Sequence, residues 1–360
     1  ISGSALTFIA VYPPCAFMIE RVLSFFLPKR PVPRMNYASV PDEGRTAVVV
    51  SHYLTDAKQA EKAMKDIIAV QAVNKDKNLY YVALCDLKEC KSEKDARDGA
   101  ILEELMKYYE EENLTVMVRK RVKSGGSYRA YERKRGAIRD LNEYLLSGDN
   151  GKFRYVSKEI NVKPRFVLTL DADSRVGAGE IRKAVNTMLH PLNAKFDLMT
   201  FESVYSLSSL KTPYSMKFSE SSGYQTYCDY DDFYFNLCER AVYCGKGIYD
   251  LKAFHEKTSV AVSDGKVLSH DVLEGALTDT GALNLAVAED APDTFLSDVA
   301  RSDRWARGDL LLLPFANKKY CSDGIYKYIM LKNAFSYFAP VAACVLWILA
   351  LSQGYLLQFL

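Results

Sequence analysis

The chain lacks the sequence signals of several common classes of protein. Its eight cysteines are scattered, with no Cys-x-x-Cys pair and no histidine at zinc spacing, so we expect neither a disulfide framework nor a zinc site. No Gly-x-Gly-x-x-Gly follows the first predicted strand and no Gly-Lys-Ser/Thr loop occurs, which disfavours a dinucleotide site and an ATPase. The formal net charge of +2 gives no overall field that would favour nucleic acid.

Charge is also absent from the C-terminal end. Residues 334–360 contain no Asp, Glu, Lys or Arg. A bilayer crossing needs about 20 apolar residues, so this stretch predicts a transmembrane helix. A buried helix is the alternative. Residues 1–19 are uncharged too, although Pro13 and Pro14 interrupt them, and with residues 22–27 they predict a crossing helix followed by an interfacial one.

Basic residues flank both apolar segments on the side of the central region. The positive-inside rule therefore predicts that the central region faces the cytoplasm. The chain begins without Met and stops inside an apolar run, so we expect a piece of a longer membrane protein. The flanking residues are Lys29, Arg30, Arg34, Lys318, Lys319, Lys327 and Lys332.

Between these segments, short apolar runs alternate with amphipathic ones. Runs of strand-forming residues are followed by stretches with helical spacing, which predicts an α/β fold with a doubly wound, mostly parallel sheet. We expect three regions: a membrane or interfacial segment over 1–36, a cytosolic domain over 37–325 and a transmembrane helix over 326–360. The predicted strands are 45–50, 79–85, 114–119 and 166–170, and the predicted helices are 56–73, 93–112, 133–146 and 179–189.

Carboxylates follow two of these predicted strands. Asp86 ends the second, and Asp171 and Asp173 come at the end of the fourth. The carboxyl ends of strands in an open α/β sheet form the crevice where ligands bind. Hard oxygen donors there suit Mg²⁺ or Mn²⁺ bridging the phosphates of a nucleotide. The alternatives are a strand-end turn with solvated acids and, for Asp86, a helix N-cap.

Two cationic clusters could contact a ligand. Lys134 and Arg135 lie at a predicted helix start, where they could bind a diphosphate; a solvated helix face is the alternative. Lys246, exposed by a glycine-flanked turn close to Tyr249, could form the wall of an acceptor groove. A plain hairpin turn explains the same residues.

Ionisable residues also gather at a later helix start. Asp271 and Glu274 are three residues apart, so they share a face if helical. One carboxylate there, beside His270, could act as a general base on a sugar hydroxyl. The alternative is a capping box with Ser269 as the cap.

The last cluster combines cations with an aromatic residue. Arg304 and Arg307 could neutralise a pyrophosphate leaving group. Trp305 offers a flat face for stacking on a sugar ring. Composition alone does not explain this combination.

Together and in this order, the motifs resemble the processive inverting glycosyltransferases with the GT-A fold, the cellulose-synthase-like group. That group carries an early Asp, an Asp-x-Asp, a base Asp and a Gln-x-x-Arg-Trp before a membrane helix. The similarity is closer still to the glycosyltransferase domain of cyclic β-1,2-glucan synthases and spans residues 30–314. The matching stretches are 45–50, 132–136, 170–173, 245–250, 268–275 and 304–309.

The resemblance implies transfer of glucose from UDP-glucose to a growing β-1,2-glucan, with Mg²⁺ or Mn²⁺, at the cytosolic face of the inner membrane. It implies a catalytic group with Asp271 as the base, Glu274 as the second candidate base and Arg304 at the leaving group. It implies donor binding by Asp86, Lys134, Arg135, Asp171, Asp173 and Arg307, with Asp171 and Asp173 also the metal ligands. It implies acceptor binding by Lys246, Tyr249, His270 and Trp305.

Three positions depart from the expected pattern. Ser174 stands in place of Thr, Asp303 in place of His, and Leu310 in place of Trp. The last two touch the expected cleft. Two alternatives therefore stay open: another processive β-glycan synthase with a different linkage or nucleotide sugar, and a catalytically inactive glucan- or nucleotide-binding module. The expected partners are a nucleotide sugar, a glucan acceptor, membrane lipid and other domains of a larger synthase, but no nucleic acid.

Overall fold

Helices and strands alternate along the chain as the sequence predicts. The computed structural model describes residues 3–221, 233–259, 271–317, 321 and 323–352. The helices are α1 Gly3–Ser24, α2 Ala57–Val73, α3 Asp98–Met106, α4 Arg133–Ser147, α5 Glu180–Met188, α6 Pro213–Ser221, α7 Phe233–Cys238, α8 Leu251–Ser259, α9 Asp271–Leu277, α10 Phe295–Leu312 and α11 Gly324–Ser352. The strands are β1 Thr46–Leu54, β2 Leu79–Leu87, β3 Leu114–Arg119, β4 Val122–Ser124, β5 Ser127–Arg129, β6 Phe153–Val156, β7 Phe166–Asp171, β8 Arg175–Val176, β9 Leu198–Tyr205, β10 Gly247–Asp250 and β11 Thr280–Glu289.

A large mixed sheet forms the centre of the molecule. Within the described ranges its strand order is β6-β3-β2-β1-β7-β10-β9-β11-β8, while β4 and β5 form a separate hairpin. The four predicted strands, β3, β2, β1 and β7, are neighbours and run parallel. Strand β10 is antiparallel to both β7 and β9. The register sets Ser51 beside Asp171 and Tyr53 beside Asp86, so these residues meet at one rim of the sheet.

Helices cover both faces of this sheet because its strands are apolar on both sides. In β1, Ala47 and Val49 pack in the core beneath α4 and α8. Val48 and Val50 point the other way, into the core beneath α2, α3 and α5. The prediction of a doubly wound, mostly parallel sheet is confirmed.

One predicted helix is shorter than its sequence pattern. The prediction covered 93–112, but α3 begins at Asp98. The Asp98 carboxylate accepts hydrogen bonds from both Nη atoms of Arg121, at 2.7 and 2.8 Å, and from Arg154 Nη1 at 2.5 Å. These charge-assisted hydrogen bonds hold the chain before Asp98 in a loop, which the helical periodicity does not reveal.

Among the residues that the structure describes, two helices, α1 and α11, are long and apolar enough to cross a membrane. They pack against each other, with the rings of Phe8 and Tyr12 about 6 Å from the ring of Phe335. Helix α1 is continuous through Pro13 and Pro14 up to Ser24. The prediction of two separate helical segments at this end is therefore wrong.

A buried ion pair accommodates Glu20, a charged residue near the C-terminal end of α1. Glu20 and Lys332 of α11 are 5% and 7% exposed, and Lys332 Nζ lies 2.9 and 2.8 Å from the two Glu20 carboxylate oxygens. The hydroxyls of Tyr234 and Tyr328 donate to the same carboxylate. A charge buried in this way is tolerated because it is paired and hydrogen-bonded.

We predict that Lys332→Met lowers the free energy of unfolding by about 3–5 kcal/mol, since it leaves Glu20 buried without its counter-charge. Thermal or urea unfolding of the full chain in detergent measures this. The double variant Glu20→Gln/Lys332→Met removes both charges and should recover most of the loss. A double variant as unstable as the single one would contradict the account.

Candidate active site

The rim of the sheet opens into a cavity of about 1010 Å³. Strand ends form its floor, the start of α4 and α9 form two walls, and α10 and α11 close it. This volume is large enough for a nucleotide sugar together with part of an acceptor. Of the predicted site residues, the cavity brings together Asp86, Lys134, Asp171, Asp173, Lys246, Asp271, Arg304 and Trp305.

Two lysines hold Asp171 on the cavity floor. Lys134 Nζ contacts Asp171 Oδ1 and donates to the Gly245 carbonyl at 2.7 Å. Lys246 Nζ lies 3.4 Å from Asp171 Oδ2 and also pairs with Glu289. Burial alone would raise the pKa of Asp171, but the ammonium groups of Lys134 and Lys246 hold this pKa well below its usual range. This carboxylate is therefore ionised at any physiological pH.

Lys246 is not on an exposed turn as predicted. It is 3% exposed, and its ammonium group reaches the cavity from inside the protein. Gly245 permits this because its φ of +80° lies in the left-handed region. Lys246 is therefore part of the cavity floor.

Asp173 differs from Asp171 in its surroundings. Its side chain is exposed to the cavity, and no cation pairs with it within the described part of the chain. Withdrawal from bulk water, reinforced by the carboxylates of Asp171 and Glu289, raises the pKa of Asp173. A cation placed beside Asp173 would relieve this repulsion.

The donor set fits a metal that arrives with phosphates. Across the described ranges, no group of three or more His, Cys, Asp or Glu side chains is placed to hold a metal ion. Mg²⁺ commonly uses only one or two carboxylates and completes its shell with phosphate oxygens and water. Asp173 is the carboxylate available for this, while Asp171 is engaged by lysines.

Asp86 lies on the cavity wall, as predicted, but it has a partner that the sequence did not reveal. Both its oxygens accept hydrogen bonds of 2.7 Å from Arg119. Arg119, which is 2% exposed, also binds Asp140 and the carbonyls of Tyr131 and Arg133. Arg119 thus uses all five of its N–H donors to fix Asp86 against the start of α4.

The start of α4 has an unusual backbone. Glu132 and Arg133 have φ values of +56° and +46°, in the left-handed region that non-glycine residues rarely adopt. At Gly136, a Cβ atom would lie 2.1 Å from the Tyr131 carbonyl oxygen. The chain is therefore folded tightly here, and Lys134 projects into the cavity as a result.

Asp271 is the first residue of α9 and is half-buried in the cavity wall. It lies directly against Gly245, where an added Cβ would be 2.8 Å from Asp271 Oδ2. Gly245 accepts the hydrogen bond from Lys134 through its carbonyl oxygen. One glycine therefore contacts both the lysine that holds Asp171 and the predicted base.

Helix α10 presents Arg304, which is exposed, and Trp305, which is half-buried, to the cavity. The guanidinium of Arg301 lies 4.7 Å from the Trp305 ring centroid and 5.1 Å from that of Phe218. This cation–π contact fixes the orientation of the indole on one side. Trp305 therefore enters the cavity as an oriented ring.

Several predicted residues are not brought to this cavity. Arg135 is 6% exposed, pairs with Glu132, and lies with Glu274 beside a smaller cavity behind α4. Tyr249 is fully buried, stacks on the Phe254 ring at 4.0 Å and binds Asn142, because β10 lies inside the sheet. Arg307 is exposed, pairs with Asp303 and does not line the cavity. His270 lies outside the described residues.

Other cavity residues were missed by sequence reasoning. Ser51 and Tyr53 lie in the last four residues of β1, and their position after a predicted strand was the available signal. Glu289 ends β11, a strand that the sequence did not predict. Asp309, in the same stretch as Arg304 and Trp305, lines the cavity and binds the hydroxyl of Tyr337.

We predict that Gly245→Ala lowers the free energy of unfolding by about 1–3 kcal/mol, because alanine is strained at φ +80° and its Cβ would press on Asp271. Gly126→Ala is the matched control, since no atom lies within 4 Å of its added Cβ. Urea unfolding of both variants in detergent measures the difference. If Gly245→Ala and Gly126→Ala have the same free energy of unfolding, then position 245 does not require glycine.

Comparison with known proteins agrees with the sequence motifs. No family model matches the chain. The chain is 27% identical over 345 residues to the cyclic beta-(1,2)-glucan synthase NdvB of Rhizobium meliloti, a match that covers 88% of this chain and 12% of that protein. The chain therefore spans about an eighth of the length of this curated relative.

Two solved structures are more distant. One is S. aureus TarS 1–349, with 12% identity, 82% of this chain and 71% of that chain covered, and a TM-score of 0.44. The other is glucosyl-3-phosphoglycerate synthase from Mycobacterium tuberculosis, in complex with Mn²⁺, UDP and phosphoglyceric acid. It is 13% identical, the match covers 78% of this chain and 86% of that chain, and the TM-score is 0.37. The resemblance predicted by the motifs is confirmed: over most of its length, the chain is similar to a cyclic β-1,2-glucan synthase.

Proposed function

We propose that the chain is an inverting glycosyltransferase that transfers glucose from UDP-glucose to a growing β-1,2-glucan at the cytosolic face of a membrane. The observation that carries the proposal is the single cavity that unites the carboxylates of the sheet rim with Asp271, Arg304 and Trp305. The similarity to a cyclic β-1,2-glucan synthase supports the choice of product. Because the chain covers a small part of that relative, further domains of a larger synthase are expected partners.

The donor nucleotide would occupy the side of the cavity beneath α4. Tyr53, which is 56% exposed, offers its ring to the base, and its strand neighbour Asp86 offers carboxylate lone pairs to the uridine. Lys134 and Lys246 supply positive charge where the diphosphate would lie. Arg135, placed behind α4, would support Glu132 and the start of α4 rather than contact the nucleotide.

Asp173 would hold a divalent metal, Mg²⁺ or Mn²⁺, with Asp171 beside it. When bound, such an ion neutralises charge on the diphosphate and assists its departure. Asp171 would orient Lys134 and Lys246, which contact it from two elements. The chain thus would provide both a metal ligand and two fixed cations for the leaving group.

Asp271 would act as the general base. The oxygen of the acceptor hydroxyl attacks the anomeric carbon, its proton passes to the Asp271 carboxylate, and the bond from that carbon to the UDP oxygen breaks with its electron pair. Attack from the face opposite to UDP inverts the configuration. Glu274 is the weaker candidate because it lies 4% exposed behind the cavity wall.

Arg304 would stabilise the charge on departing UDP from the α10 side, and Trp305 would stack on the acceptor sugar. The helices α1 and α11 would anchor the domain in the membrane. The basic residues that flank these helices on the side of the α/β domain favour the cytosolic face. Two of them also form ion pairs within the protein: Lys332 with Glu20, and Arg30 with Glu239.

We expect Asp271→Asn to lower kcat for glucose transfer by about 10²-fold or more, since the amide cannot accept the proton. UDP affinity should remain unchanged because the donor side of the cavity is untouched. Steady-state transfer from radiolabelled UDP-glucose in detergent, with linkage analysis of the product, gives the measurement. A variant that extends glucan at the wild-type rate would refute the base assignment.

We expect Asp173→Asn to abolish the gain in UDP affinity that Mg²⁺ produces, because the carboxylate ligand is lost. Isothermal titration of UDP with and without Mg²⁺ measures this. Asp149→Asn, an exposed residue outside the cavity, is the control and should keep the metal dependence. Metal-dependent UDP binding that survives in Asp173→Asn would contradict the assignment.

The same experiments separate the rival functions. A synthase of another linkage would bind UDP with Mg²⁺ but give a product that β-1,2-specific glucanases do not cleave. An inactive binding module would transfer no sugar. The Asp303 and Leu310 departures motivate this second rival, yet Asp303 pairs with Arg307 on the exposed side of α10 rather than entering the cavity.

A further inference from the structure

Asp309 is a cavity carboxyl to which the proposed transfer mechanism gives no role. It lies on α10 and lines the same cavity as Asp271 and Trp305. It follows Trp305 by four residues, so the indole and the carboxyl face the same side of the helix. An aromatic ring and a carboxylate side by side suit a sugar, which presents an apolar face and hydroxyl donors.

Contacts fix Asp309 in place without neutralising it. Its Oδ2 accepts a hydrogen bond of 2.8 Å from the hydroxyl of Tyr337, which belongs to α11. No lysine or arginine pairs with Asp309 within the described part of the chain. One oxygen is thus held by α11, and the group faces a cavity that sugar hydroxyls could enter.

The electrostatics agree with this position. Burial raises the pKa of Asp309, the hydrogen bond from Tyr337 opposes this rise, and the nearby Asp271 carboxylate adds a smaller increase, so that the pKa is about 6. A carboxyl withdrawn from water and placed near a second carboxyl is costly unless a ligand or partner satisfies it. Asp309 and Asp271 both line this cavity.

We propose that Asp309 binds hydroxyl groups of the acceptor sugar and, together with Trp305, determines which hydroxyl faces Asp271. Tyr337 is a positioning residue that aims the Asp309 carboxyl. The inference rests on the proposed function of the cavity as a sugar-transfer site. It makes α11 part of the acceptor site as well as a candidate membrane helix, since Asn333 and Ser336, on the same helix as Tyr337, also line the cavity.

The test uses the full chain in detergent, UDP-glucose as donor and a β-1,2-linked glucotetraose as acceptor probe. Asp309→Asn should raise the acceptor KM by about tenfold or increase the fraction of other linkages, because one hydrogen-bonded hydroxyl loses a charged partner. Tyr337→Phe should raise the acceptor KM by about threefold, since the carboxyl is retained but less well aimed. Affinity for UDP with Mg²⁺, measured by isothermal titration, should stay within about twofold of wild type in both variants.

Asp293→Asn is the matched control, because this carboxyl is exposed near the start of α10 and outside the cavity lining. It should leave both readouts unchanged. An Asp309→Asn variant with a wild-type acceptor KM and linkage, or one that loses UDP affinity, would overturn the inference. If Asp309→Asn does not fold, Tyr337→Phe decides: an unchanged acceptor KM overturns the proposal. A wild-type chain that binds no UDP or transfers no glucose would refute the proposed function itself.

Discussion

The contact of Asp171 with Lys134 and Lys246 is the interaction on which the rest of the site depends. It joins the end of β7, the first turn of α4 and the loop before β10, and Glu289 of β11 extends it to a further strand. Without the carboxylate, the ammonium groups of Lys134 and Lys246 would lose the counter-charge that they share. Their presence also explains why Asp171 and Asp173, two residues apart, have pKa values shifted in opposite directions.

A second constraint keeps the cavity and the candidate membrane helices in one unit. The ion pair between Glu20 and Lys332 ties α1 to α11, and the hydrogen bond from Tyr337 to Asp309 ties α11 to the cavity. The apolar helices therefore do more than flank the α/β domain. A shift of α11 along its axis would move Tyr337 and with it the carboxyl that we propose holds the acceptor.

The sheet rim was predictable because parallel strands carry their carboxyl ends to the same edge, which places Asp86 near Asp171 and Asp173. The prediction for Arg135 was wrong because successive helical residues point about 100° apart, so Lys134 lines the cavity and Arg135 does not. Tyr249 belongs to an antiparallel strand inside the sheet, and no local pattern distinguishes that strand from a turn. Contacts between distant segments, such as Arg119 with Asp86, leave no trace in sequence spacing.

A structure of the chain bound to UDP and Mn²⁺, with the metal located by its anomalous scattering, is the decisive measurement. We expect Mn²⁺ in contact with the Asp173 carboxylate and the UDP diphosphate, while Lys134 and Lys246 remain on Asp171. The uracil should lie between Tyr53 and Asp86. UDP bound outside this cavity, or a metal held without Asp173, would contradict the account.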